Sequence, residues 1–154
     1  MNDSIRQPLN NEPSVSQPAQ AESEKEAIQQ VLTGYYDALS RDLHVAASFY
    51  GEPVIVVQPA EVLPMNKRED TEAFLTKLLS GFKSLGFLHA QLSDSRIKML
   101  SETTAIYSTV AIRYKTDGSE MPRGGFTYLL HKGPPGWQIH ALIVTDMDKL
   151  VNAD

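Results

Sequence analysis

Cysteine is absent from this chain of 154 residues. Its absence excludes a disulfide framework, a thiolate zinc site and a cysteine nucleophile. Positive charge is also in short supply, because 14 lysines and arginines are set against 19 acidic residues, for a formal net charge of −5. Nucleic-acid binding needs a basic patch, and the basic residues here are scattered, so we expect no nucleic-acid partner.

Long apolar runs are missing as well. No stretch approaches the roughly 18–20 consecutive apolar residues that a membrane-spanning helix requires, so we expect no membrane partner. Residues 1–22 lack the apolar core of a signal peptide and are rich in Asn, Gln, Ser and Pro. The sequence therefore predicts a soluble, cytoplasmic protein with a disordered N-terminal tail over 1–22, one domain over 23–150 and a short tail over 151–154.

Three helices are predicted in the N-terminal half of the chain. Ser23 and Glu26 have the spacing of a capping box and should begin the first helix. Asp42 is a good N-cap for a short second helix. Asn66 and Glu69 repeat the capping-box spacing at the start of the third. Apolar residues recur at helical spacing after each of these signals, so each helix should bury one face.

The remaining segments are predicted to be strands. The β-branched run over 54–58 is typical of a strand covered on both faces, and a short return strand over 61–63 follows it. Turn residues then divide the last third of the chain into four strands, at about 89–99, 104–115, 123–132 and 137–146. Strands joined by such short turns pair antiparallel. This order predicts an α+β fold in which a curved antiparallel sheet packs on the three helices.

Alternation along each strand sorts its side chains by face. We expect the more apolar set of each strand to face the helices, namely Ile106, Val110, Ile112 and Tyr114, then Phe126, Tyr128 and Leu130, then Trp137, Ile139, Ala141 and Ile143. Tyr107, Thr109 and Arg113 are expected on the opposite, outer face.

Aromatic side chains supply most of the candidate ligand-binding residues. Tyr114, Tyr128 and Trp137 become possible pocket-wall residues alongside Tyr35 and Tyr50. A pocket walled by aromatic rings with a few hydroxyl groups suits a flat apolar ligand. Plain core packing is the alternative for each of them, and it explains Trp137, which sits beside a turn, at least as well.

Motifs for metal, phosphate or nucleophile chemistry are lacking. His131 and His140 should be diagonal neighbours on the outer face, with no third ligand close in sequence, so we expect no metal site. The chain has neither a Gly-x-Ser-x-Gly elbow nor a Gly-x-Gly-x-x-Gly loop. We therefore expect no cofactor.

The order of elements resembles the nuclear transport factor 2-like (NTF2-like) superfamily. The stretch YYDALSRDLHVAASFYGEPVIVV is similar to its first two helices and first strand, and Gly136-Trp137 followed by QIHALIVTD is similar to its closing strand. The likeness covers residues 23–147 and looks closest to an uncharacterised branch, beside the steroid isomerases and SnoaL-like cyclases. It implies a cone-shaped, cystatin-like α+β barrel, a pocket in the mouth of the cone, and a homodimer formed through the outer sheet face.

Steroid isomerases of that superfamily carry a carboxylate base at the end of the first strand, where this chain has Gln58. An amide does not accept a proton near neutral pH, so the general-base mechanism does not transfer. Gln58 either orients a ligand carbonyl or bonds nearby backbone. The isomerases also use a tyrosine of the first helix as a donor. Tyr35 is the better match than Tyr36, because it lies on the apolar face, although a core position with a satisfied hydroxyl is the alternative.

Two functions remain open. The first is a protein that binds a small apolar or carbonyl-bearing ligand in the cone, with SnoaL-like lyase, isomerase or cyclase activity as one form of it. Glu52 and Asp146 are the only acids near plausible pocket ends, so no enzyme class is predicted. The second is a non-catalytic dimeric interaction module whose apolar interior is simply core.

Overall fold

The computed structural model describes residues 17–154. Three helices precede most of the sheet: α1 (Gln17–Leu39), α2 (Leu43–Ser48) and α3 (Arg68–Ser84). The strands are β1 (Tyr50–Val57), β2 (Val62–Met65), β3 (Phe87–Met99), β4 (Thr104–Lys115), β5 (Gly124–Gly133) and β6 (Gly136–Thr145). Within this part of the chain, no helix is both long enough and apolar enough to cross a bilayer.

The six strands form one curved, unclosed sheet in the order β2-β1-β6-β5-β4-β3. β1 and β6 run parallel, while the other neighbouring strands pair antiparallel. The concave face of the sheet packs on the helices and holds the main hydrophobic core. The predicted α+β class and the cone-shaped architecture are therefore confirmed.

The first helix begins at Gln17 and not at Ser23, so the predicted capping box is wrong. Residues 19–22 are alanine, glutamine and glutamate, which favour helix over tail. The helix is also anchored to the sheet. Glu24 accepts hydrogen bonds from Lys132 Nζ in β5 at 2.6 Å and from Trp137 Nε1 in β6 at 2.8 Å. Of the tail predicted over 1–22, residues 17–22 are helical and residues 1–16 lie outside the described residues; the division into domains stays a prediction.

The other two helix starts follow the sequence signals closely. Asp42 caps α2 as predicted, because its Oδ1 accepts from the backbone N–H of His44 at 3.1 Å and of Val45 at 3.3 Å. In α3 the cap falls one residue later than predicted, at Lys67, whose N–H donates to Asp70 Oδ2 at 3.2 Å.

The predicted inner face of β4 is wrong. Ala105, Tyr107 and Ala111 belong to the core shared with the helices, so Ile106, Val110, Ile112 and Tyr114 lie on the outer face. The prediction assigned the more apolar set of β4 to the inner face. The inner positions instead hold small alanines and a tyrosine whose hydroxyl group is hydrogen-bonded. Tyr107 Oη donates to Ser95 Oγ at 2.6 Å and accepts from Gln29 Nε2 at 2.9 Å.

A β-bulge halfway along β6 reverses which of its side chains point toward the helices. Leu130 pairs with Ile139 but Leu129 pairs with Ala141, which leaves His140 as the extra residue. Trp137 and Ile139 face the core as predicted, but after the bulge Leu142 and Val144 point inward, in place of Ala141 and Ile143. In β5 the predicted inner set of Phe126, Tyr128 and Leu130 is confirmed.

The C-terminal segment after β6 crosses the outer side of the sheet. Leu150 is buried, and the backbone N–H of Val151 donates to Ser108 Oγ at 3.2 Å. Asp154 then reaches the free edge of β3, where its Oδ2 accepts from the N–H of Met99 at 2.8 Å. The segment thus covers part of the sheet face opposite the helices.

Candidate functional site

A cavity of about 130 Å³ lies between the sheet and the helices α1 and α3. Most of the side chains that line it are apolar, among them Leu39, Leu78, Phe82, Phe126 and Leu142. The polar groups in the lining come from three tyrosines, Gln58 and Arg113. The lining includes the end of β1, the end of β4 and the start of β5, which meet at one end of the sheet. We call this the cavity end.

Four buried tyrosines pack together beside the cavity: Tyr35, Tyr36, Tyr50 and Tyr128, which we call the tyrosine cluster. Their hydroxyl groups are hydrogen-bonded in pairs, Tyr50 with Tyr35 at 2.6 Å and Tyr36 with Tyr128 at 2.6 Å. Their rings meet edge to face, with centroid distances of 5.1 to 6.4 Å. This geometry is favourable for aromatic pairs, so the cluster is a fixed wall.

Burial raises the pKa of all four hydroxyl groups in the tyrosine cluster. They are therefore neutral near pH 7 and act as hydrogen-bond donors. The Tyr35 hydroxyl accepts from Tyr50, and among residues 17–154 its own proton has no acceptor. Tyr35 is one of the residues that line the cavity.

Three of the five predicted ligand-binding residues line the cavity: Tyr35, Gln58 and Tyr128. Tyr50 stands behind Tyr35 and supports its hydroxyl group without lining the cavity. Tyr114 lies outside, because the inner face of β4 was predicted wrongly. Its ring stacks at 5.1 Å from that of His89, and its hydroxyl accepts from Gln91 Nε2 at 3.3 Å.

The remaining candidates from the sequence lie away from the cavity. Trp137 packs in the core, where its indole N–H bonds Glu24. Glu52 accepts from the backbone N–H of Arg68 at 2.6 Å. The rings of His131 and His140 are 6.0 Å apart, and His140 Nδ1 lies 2.8 Å from the carbonyl oxygen of Pro53. In the described part of the chain, no cluster of three or more metal-binding side chains exists.

Sequence reasoning missed Arg113 as a lining residue. It was expected on the outer face, yet it lines the cavity, with its guanidinium carbon 5.0 Å from the ring centroid of Phe82 and 5.9 Å from that of Phe126. Its Nη2 donates to the carbonyl oxygen of Pro122 at 2.8 Å. A signal was present, since Arg113 shares the strand face of Tyr107 and Ala111, but a single charged residue on an apolar face is normally assigned outward.

Three helices packed on one face of a curved, unclosed sheet are typical of the cystatin-like α+β class of folds, to which solved structures similar to this chain belong. The family model described as NTF2-like protein (DUF6841) matches residues 23–147. The chain therefore belongs to this NTF2-like family, and the resemblance drawn from its sequence is confirmed.

Solved structures of similar fold come from several bacteria. An NTF2-like protein of unknown function from Shewanella oneidensis is 26% identical, with a TM-score of 0.65 over 79% of this chain and 98% of that one. An NTF2-like protein with a cystatin-like fold from Novosphingobium aromaticivorans is 12% identical, with a TM-score of 0.69 over 84% of this chain and 85% of that one. The second likeness concerns the fold alone. No curated protein matches the chain significantly.

Proposed function

We propose that the protein binds a small apolar or carbonyl-bearing molecule in the cavity. The observation that carries this proposal is a mostly apolar cavity whose lining residues include two with hydrogen-bond donor groups, Tyr35 and Gln58. Apolar surface supplies affinity in such pockets, and a few placed donors fix the orientation of a polar atom. A carbonyl oxygen is the acceptor that these two donors suit.

The size of the cavity limits the ligand to about one ring. Its volume of about 130 Å³ is close to that of engineered apolar cavities, of roughly 150 Å³, that bind benzene. Val144, which is 42% exposed, lies in the lining, so the cavity is within reach of solvent. Larger ligands would need their remaining atoms outside the cavity.

Binding is favoured over turnover by the chemistry of the lining. Among residues 17–154, no Asp, Glu or His lines the cavity. The tyrosines there are neutral, because burial raises their pKa, so they can polarise a carbonyl group but are poor proton acceptors. Lyase, isomerase and cyclase reactions that abstract a proton would lack a base, and we therefore propose a binding protein.

Methyl NMR spectroscopy tests this function with acetophenone as a neutral, one-ring carbonyl probe. We expect acetophenone to shift the methyl signals of Leu78, Leu142 and Val144, which line the cavity. The methyl signals of Ile28 and Leu130 are internal controls, because both side chains are fully buried elsewhere in the core. Unchanged cavity signals at millimolar acetophenone, or equal shifts at the control positions, would contradict the proposal.

A dimeric interaction module is the second candidate. Ile55, Ala141, Leu129 and Ile106 are register partners across four strands and form an apolar row on the outer sheet face, where Ile55 is 41% exposed. This row favours the predicted homodimer, which stays a prediction. Sedimentation of the wild type and of Ile55→Asp would test it: a monomeric wild type would contradict the dimer. A dimer is compatible with either function.

A further inference from the structure

Arg113 differs from every other arginine in residues 17–154. Each of the others has a carboxylate oxygen within 4 Å, in the pairs Arg41–Asp37, Arg68–Glu72, Arg96–Asp94 and Arg123–Glu120. Arg113 has none among the described residues. Within residues 17–154 it is therefore a cation without a counter-charge, and it is one of the residues that line the cavity.

The guanidinium of Arg113 is held in position by the groups around it. Phe82 and Phe126, which also line the cavity, flank it, and Pro122 accepts from its Nη2. Its Nε–H is buried and has no hydrogen-bond partner in the described part of the chain. Gly124 leaves room for it, since a Cβ atom there would lie 3.1 Å from Nη2. The side chain is thus pre-positioned while part of its donor capacity is unused.

Arg113 is half-buried, so its charge is partly removed from water. A charged group taken out of water costs free energy unless an opposite charge or hydrogen bonds compensate it. Burial accordingly lowers the pKa of Arg113. Its contacts with two phenylalanine rings and one hydrogen bond to a carbonyl oxygen supply no formal negative charge. The unpaired charge therefore points to an anion that comes from outside the chain.

We infer that Arg113 anchors the anionic head group of the ligand, so that the cavity takes a small one-ring carboxylate. The inference rests on the proposed function and names the class of ligand. A planar guanidinium matches a carboxylate through two parallel hydrogen bonds, which a lysine ammonium does not provide. The apolar walls from α3 and β6 then enclose the ring.

Benzoate and its neutral isostere benzamide test the inference. Each probe has one benzene ring, and the two have nearly the same shape. A difference between their dissociation constants therefore reports on the head group. We expect the wild type to bind benzoate about tenfold or more tightly than benzamide, which is the usual range for a hydrogen bond to a charged group. Arg113→Gln should abolish that preference and change benzamide binding by less than about twofold.

A matched control removes the same charge elsewhere. Arg123→Gln also deletes one guanidinium, but Arg123 is exposed on the surface and pairs with Glu120, so the preference for benzoate should persist. Arg113→Lys keeps the charge without the planar fork and should retain part of the preference. If Arg113→Gln fails to fold, the comparison of the two probes on the wild type still decides.

The outcomes separate the two proposals. Equal binding of benzoate and benzamide by the wild type would overturn the role of Arg113 and leave the proposed function standing. An unchanged preference in folded Arg113→Gln would overturn it as well. Binding of neither probe at millimolar concentration would overturn both.

Discussion

At the end of the cone opposite the cavity, which we call the packed end, Leu32, Leu130 and Ile139 are fully buried in the main core. At the cavity end, Leu78 and Phe82 are only half-buried and border empty space. Both ends use the same sheet and the same helix α1. The comparison teaches that the cavity depends on which side chains fill the space and not on a separate structural element.

The tyrosine cluster lies between the two ends and explains why the cavity persists. Aromatic rings whose hydroxyl groups are bonded in pairs cannot rotate to fill a neighbouring void without breaking a buried hydrogen bond. Aliphatic side chains at the packed end have no such constraint and interdigitate. Rigid rings thus preserve a space that flexible residues would fill.

Alkaline pH should produce the largest effect, and it acts through the tyrosine cluster. In the unfolded chain these hydroxyl groups lose their protons above about pH 10, whereas in the folded protein burial raises their pKa and they stay neutral. Tyrosine ionisation should therefore leave the free energy of unfolding unchanged below pH 10. Above pH 10 it should lower that free energy by about 1.4 kcal/mol per pH unit for each tyrosine of the cluster. Denaturant titrations from pH 8 to pH 11 measure it, and tyrosinate absorbance from more than two of the six tyrosines before unfolding would contradict it.

Leucine-to-alanine substitutions at the two ends should have the next largest effect on the free energy of unfolding. Leu130→Ala at the packed end should lower the free energy of unfolding by about 2–5 kcal/mol, because Leu130 is fully buried. Leu78→Ala at the cavity end should cost about half as much or less, because that side chain is half-buried and already borders a void. Chemical denaturation measures both. Equal losses would mean that the two ends are packed alike.

Removal of one hydroxyl group from the tyrosine cluster should have a smaller effect. Tyr128→Phe leaves the Tyr36 hydroxyl buried without its partner at 2.6 Å, which should cost about 1–3 kcal/mol. The double variant Tyr36→Phe/Tyr128→Phe removes both partners and should cost less than the sum of the single changes. A double-mutant cycle measures the coupling free energy, and strict additivity would argue against a paired cluster.

Two helical glycines should show the smallest effects. Gly81→Ala in α3 meets no atom within 4 Å and should stabilise the protein by about 0.5–1 kcal/mol through helix propensity. Gly34→Ala in α1 would place its Cβ 2.8 Å from Phe49 Cζ, so the ring must move and the gain should be lost. Thermal unfolding measures the stability of both variants. Equal stabilisation would show that the Phe49 ring moves without a cost in free energy.

The sequence predicted most elements because their signals are local. The Asp42 cap, the turn residues and the apolar periodicity each act within a few residues, and the helices and strands that they indicate are present. Features set by distant contacts were missed. The helix start depends in part on Glu24 and its contacts with β5 and β6, and the bulge at His140 reverses a strand face without any break in composition.

The candidate site was predicted only in part, for a similar reason. Tyr35, Gln58 and Tyr128 follow from helix spacing, the end of a strand and alternation, and all three line the cavity. Tyr114 was predicted on the inner face of β4 and Arg113 on the outer face, and both predictions were wrong. The strand places its alanines and its one arginine inward. Hydropathy alone cannot identify a face that is kept partly empty.

The most direct measurement compares two alanines on the inner face of β4. Ala111 lines the cavity, whereas Ala105 is fully buried at the packed end. Ala111→Leu should fill the void, abolish acetophenone binding and leave the free energy of unfolding unchanged or higher, while Ala105→Leu should cost about 1–3 kcal/mol by overpacking and leave binding intact. Wild-type acetophenone affinity in Ala111→Leu, or equal destabilisation by both substitutions, would contradict a ligand-binding cavity.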